Sequence, residues 1–143
     1  MNIPAPKPGL VIRYSFLWSH ERDQGAIEGS KDRPCAIVVA TPRDENGHIH
    51  TIVAPITHRP PDDLGASLEI PAAICRSLGF DQGRHWLRFD ELNRFLWPGY
   101  DLRPRSGGGY DYGMLPPRLF EQLRRGILQL QHSRKGQIIS RDD

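Results

Sequence analysis

The sequence predicts a mainly β single domain, a small antiparallel sheet bent into a partly open barrel, with a C-terminal helix over one side. Three observations carry this. Apolar runs of strand length recur along the 143 residues, rich in β-branched and aromatic side chains. The 13 prolines and 14 glycines are spread along the chain and break it into short runs, which favours turns over a helix bundle. Only one long stretch has helical periodicity: Leu119, Phe120, Leu123, Ile127 and Leu130 fall on one face of a segment over 116–132.

In order, residues 1–8 are proline-rich and extended, and Leu10–Trp18 is the heart of a first strand over 9–18. Residues 19–33 are polar and charged with two glycines, which predicts a long loop of the kind that carries function. Pro34–Ala40 is a continuous apolar run, read as a central strand buried on both faces. Asn46-Gly47 is a hairpin turn signal, and 48–57 is the return strand. Residues 68–70 form a short strand, and Pro71 opens a short helix that stops at Gly79. Residues 85–97 read as two short strands with a bend near Asp90-Glu91, and 98–109 as a loop that ends in a flexible Ser-Gly-Gly-Gly run. A short strand falls within 109–115, and the tail from Ser133 is polar and frays. The domain is 1–143, with the barrel over about 7–115.

Composition narrows the function classes. Charged residues are 25% and hydrophobic ones 38%, which suits a globular chain of one core. A net charge of +2 neither requires nor excludes a nucleic-acid partner; arginines recur at 84, 88, 94, 103 and 105, while acids gather at 62–63 and 142–143. Cys35 and Cys75 each lie in an apolar run, which predicts buried free thiols and no zinc site. No apolar leader and no membrane-length run occurs, so a cytoplasmic location is expected. The P-loop, GxGxxG, HExxH and GxSxG patterns are absent. Asp62-Asp63 and Asp90-Glu91 are neighbours that point apart on extended backbone, so they make poor acid–base pairs. His48 and His50 share a strand face but lack a third ligand; no metal and no cofactor is expected.

Arg33 and Thr57 stand out. If 34–40 and 48–57 pair through the turn at 46–47, position 33 comes near 60, and Arg33 and Thr57 share one end of the hairpin. A guanidinium beside a hydroxyl makes a phosphate cradle, because arginine presents a planar fork that keeps its charge.

Four segments in order resemble the PemK/MazF family of toxins. They are Pro8-Gly9-Leu10-Val11-Ile12, Lys31-Asp32-Arg33-Pro34-Cys35-Ala36-Ile37-Val38-Val39, Val53-Ala54-Pro55-Ile56-Thr57 and Asp90-Glu91-Leu92-Asn93-Arg94-Phe95. The resemblance spans about residues 7–97 and implies an SH3-like barrel, a homodimer and a cognate antitoxin protein. It implies an endoribonuclease that cuts single-stranded mRNA without a metal, by attack of the ribose 2′-OH. By position, Arg33 and Thr57 match the catalytic pair, and Glu28, five residues before the arginine, matches a third participant. Lys31, His58, Trp18, His20, Asn93 and Arg94 are the expected RNA-binding residues, with Trp18 and His20 stacking bases and His58 a candidate proton carrier. Relatives of the same barrel inhibit gyrase and cut no RNA, which makes a protein-binding barrel the alternative. The chain departs from the family at Leu10, where an aspartate is usual, at Glu91, in its longer loop 19–32, and in the segment 98–113.

Overall fold

The computed structural model describes residues 3–27, 29, 31–133 and 136–141. Among them are eight strands: β1 Leu10–Tyr14, β2 Arg33–Ala40, β3 His50–Thr57, β4 Ser67–Ile70, β5 His85–Arg88, β6 Glu91–Leu96, β7 Asp111–Met114 and β8 Gln137–Ser140. Three α-helices accompany them, α1 Ser19–Asp23, α2 Ala72–Ser77 and the long α3 Pro117–His132, with a short 3-10 turn at Leu64–Ala66. The sheet is antiparallel except where β8 joins β6, and it curls into half of a barrel.

β3 is the hub. One edge pairs with β2 along its length. The other edge pairs with β6 over His50–Val53 and then with β5 at Ile56-Thr57. One strand serving two divergent neighbours forces the sheet to bend. Pro55, which has no N–H to give, lies between those two pairings.

The β2–β3 hairpin forms as expected, with a different register. Gly47 N–H closes the tip on Asp44 O at 2.9 Å, and Asp44 Oδ1 accepts from the N–H groups of Asn46 and His48. His48 and Ile49 stay in the loop, and the register slips between Ile37 and Val39, as at a bulge. Cys35 therefore faces Pro55, and the same register carried two residues on sets Arg33 opposite Thr57 rather than opposite residue 60.

Alternate side chains of the sheet enter two cores. Val11, Ala36, Val38, Ala54, Ile56 and Leu87 pack under Leu119, Leu123, Ile127 and Leu130 of α3. Ile12, Tyr14, Cys35, Ile37, Val53 and Phe95 pack on the other side with Phe16, Trp18 and Leu102. β2 is thus buried on both faces from Cys35 to Val38, as its apolar run predicted.

Two expectations are corrected. The loop 19–33 opens with helix α1, because Glu21 accepts the Trp18 N–H at 3.0 Å and Glu91 accepts the Ser19 N–H at 2.6 Å. The segment after Pro98 is a loop, as expected, and it is tied to the first strand: Asp101 O accepts from Ser15 N–H, and Arg103 N–H and Tyr110 O both bond Arg13. The tail holds β8, parallel to β6, with Ile139 buried.

Arg141 fastens that tail from inside. Its Nη1 donates to Ser15 O at 2.8 Å and to Asn93 Oδ1 at 2.9 Å. Its Nη2 lies 2.9 Å from Asp101 Oδ1 and donates to Ile27 O at 3.2 Å. Removing one partner of such a buried pair strands the other, so Arg141→Ala is expected to cost about 3–5 kcal/mol in chemical denaturation.

Gly126 of α3 lies against the Phe89 ring, where a Cβ would come within 2.7–3.0 Å of three ring atoms. Gly126→Ala should therefore destabilise by about 1–2 kcal/mol, the overpacking exceeding the helical advantage of alanine. The double variant with Phe89→Leu should recover part of that loss in the same unfolding experiment.

Candidate functional site

The end of the β2–β3 hairpin opens into a cleft of about 630 Å³. Arg33 and Thr57 end the two strands at its floor. α1 forms one wall with His20 and Glu21. The segment after β3, His58 to Asp63, forms a second. The β5–β6 bend, with Arg88, Asp90 and Glu91, forms a third.

Arg33 is half-buried. Its Nε is buried with no hydrogen-bond partner, and its guanidinium meets no carboxylate in an ion pair among the described residues. Burial lowers its pKa, and nearby Arg88 adds to that against the fields of Cys35 and Glu21. A guanidinium nevertheless keeps its charge at neutral pH. The Arg33 Cζ lies over the Trp18 ring, 5.1 Å from its centre. Thr57 Oγ1 accepts the Arg59 N–H at 3.1 Å. Its own O–H remains a donor. Two donors, one charged, thus face the same space across a strand pair.

Asp63, Asp90 and Glu91 of the cleft are engaged in building it. Arg88 grips Asp90 bidentately at 3.0 and 2.6 Å and reaches Glu91 at 4.0 Å. Burial opposes the Arg88 charge, but the bond to Asp90 and the fields of Asp90, Glu91 and Asp62 outweigh it and raise its pKa. Glu91 also accepts from Ser19 N–H. Asp63 accepts from Gly65 N–H at 2.9 Å. Lys31 and Arg59 are exposed at the cleft and enter no ion pair among the described residues.

Of the residues singled out from sequence, Trp18, His20, Lys31, Arg33, Thr57 and His58 line this cleft. Trp18 is buried, though, and carries Arg33 and Arg88 over its ring, the latter at 4.7 Å. It holds the guanidiniums instead of offering a bare face to a base. Asn93 is fully buried: it accepts from Leu17 N–H and Arg141 and donates to Leu17 O, so it is a core residue and not an RNA contact. Arg94 is exposed on β6, with Nη2 3.4 Å from Ser140 Oγ, and does not line the cleft. Glu28 lies outside the described residues. Sequence reasoning missed Arg88 as the organiser of the third wall; the signal was an arginine two residues before an acidic pair at a strand bend.

His50 bonds Asp44 at 3.1 Å in the hairpin loop. Among the described residues, no group of three or more His, Cys, Asp or Glu side chains is placed to hold a metal ion. Among the described residues, no helix is long and apolar enough to cross a membrane. Cys35 and Cys75 are free and buried, and burial raises both thiols. Compared with protein-family models, with curated proteins and with solved structures, the chain finds no match in any of the three. The reading of the cleft therefore rests on its own geometry.

A half-buried cation without an ion pair lowers stability, and the stack on Trp18 and the field of Glu21 offset this in part. Arg33→Met is therefore expected to leave the melting temperature unchanged or raise it by a few degrees. A fall of many degrees would show that Arg33 is structural.

Proposed function

We propose that the chain is an endoribonuclease toxin of the PemK/MazF type, an SH3-like barrel that cuts single-stranded RNA in the cleft around Arg33 and Thr57. The observation that carries this is the facing of Arg33 and Thr57 across β2 and β3, with the cleft's Asp90, Glu91 and Asp63 already bonded within the fold. The chemistry suits a phosphodiester. The 2′-OH attacks the adjacent phosphorus, and the 5′-oxygen leaves with a proton. Arg33 stabilises the charge that grows on the phosphorane oxygens. Thr57 donates its hydroxyl hydrogen to a non-bridging oxygen. His58, exposed at the rim beside Thr57, carries the proton. The products are a 2′,3′-cyclic phosphate and a 5′-hydroxyl, and DNA lacks the nucleophile. The same reading carries with it a homodimer, an antitoxin protein that blocks the cleft, and a cytoplasmic site of action.

A second reading, a barrel of this kind that binds a protein and performs no chemistry, draws on one observation. Asp62, Asp90 and Glu91 share the cleft with the cations, and mixed charge suits a protein surface better than a polyanion.

Induction of the wild-type chain and of Arg33→Ala in cells, followed by sequencing of RNA ends, separates the two. The nuclease reading expects growth arrest and new 5′-hydroxyl ends with wild type. It expects both to fall at least about a hundredfold with Arg33→Ala. Arrest without new ends would favour the protein-binding barrel.

A further inference from the structure

A second, smaller cavity of about 270 Å³ lies on the far side of the Arg33–Thr57 ridge. Lys31, Arg33, Thr57 and His58 line both spaces, so whatever anion the ridge holds has its neighbouring group at the mouth of the second. The walls differ in character. Phe80 and Tyr112 stand edge-to-face at 5.4 Å, both half-buried, and the Arg105 guanidinium lies 4.3 Å from the Tyr112 ring centre. The His85 ring lies 5.0 Å from that of Phe80.

His85 is buried, yet its polar atoms are only half provided for. Nε2 meets Asp81 Oδ1 at 3.2 Å, and Nδ1 is buried with no partner among the described residues. In the neutral ring, a proton on Nε2 shared with this carboxylate leaves Nδ1 an acceptor. An unsatisfied buried atom on a residue that lines a cavity calls for an explanation, and a bound group is one. Nothing in the phosphate chemistry of the larger cleft uses His85, Asp81, Phe80 or Tyr112.

We propose that this cavity is a nucleobase pocket. The base next to the phosphate held by Arg33 and Thr57 turns over the ridge and lies against Phe80 and Tyr112. His85, oriented by Asp81, reads its donor edge. The chain would then select its cleavage site here, behind the ridge, and not through the long loop before β2. This inference rests on the RNA reading of the larger cleft.

The test measures binding of 2′-O-methyl hexanucleotides of A, C and U, which lack the nucleophile and stay intact. Wild type should rank them over a spread of about tenfold or more, the lower range of one base–aromatic stack with an edge contact. Asp81→Asn and Tyr112→Leu should collapse that ranking toward the weakest oligonucleotide. Asp81 is largely exposed, so its variant keeps the fold and leaves the result interpretable even if Tyr112→Leu does not fold. Arg33→Ala should weaken all three alike. Equal affinities in wild type, or a ranking that survives both pocket variants, would overturn the base pocket while leaving the RNA cleft standing. No binding of any oligonucleotide, or binding indifferent to Arg33→Ala, would overturn both.

Discussion

The site depends on the pairing of β3. A single strand holds β2 on one edge and hands its other edge from β6 to β5. Backbone hydrogen bonding fixes where Arg33 and Thr57 stand before any side chain takes part. The slip between Ile37 and Val39 then decides which residue Arg33 faces. One residue more or less in that hairpin would send the side chain at position 57 to the opposite face of the sheet and dissolve the pair.

Charge is divided to match. Inside the fold, Arg141 and Asp101 form a buried pair that ties the C-terminal strand, the chain after β1 and the segment beyond Pro98 into one body. At the cleft, Arg88 spends its charge on Asp90 and Glu91, and Glu91 in turn holds the start of α1. These contacts neutralise acids that would otherwise oppose an anion. Arg33 alone is left desolvated, stacked and without a carboxylate among the described residues. A group that costs stability and is retained at the floor of a cleft is the usual signature of function over folding.

Much of this was legible in the sequence. The continuous apolar run Pro34–Ala40 and the Asn46-Gly47 turn were enough to bring Arg33 and Thr57 to one end of a hairpin, because periodicity and turn chemistry are local. The helix over 116–132 was legible for the same reason, and the structure begins it at Pro117. What escaped depends on distant partners. The strand Gln137–Ser140 is four residues long with no amphipathic pattern, and only β6 and the Arg141 cluster make it a strand. Asn93 lies in a strand whose alternation leaves its face undecided until Leu17 and Arg141 take its amide. Trp18 reads equally as a stacking platform or as core, and two arginines brought from β2 and β5 decide the matter. The pairing of Arg88 with Asp90 was within reach, since both lie on one short bend.

The central claim is that the Arg33–Thr57 cleft cuts RNA through its own 2′-OH. Its most direct test incubates the purified protein with a mixed-sequence single-stranded RNA in excess chelator, beside DNA of the same sequence, and reads the product ends. The account predicts RNA fragments ending in 2′,3′-cyclic phosphate, intact DNA, and no fragments with Arg33→Ala. Intact RNA under these conditions, or 3′-hydroxyl ends from RNA and DNA alike, would contradict it.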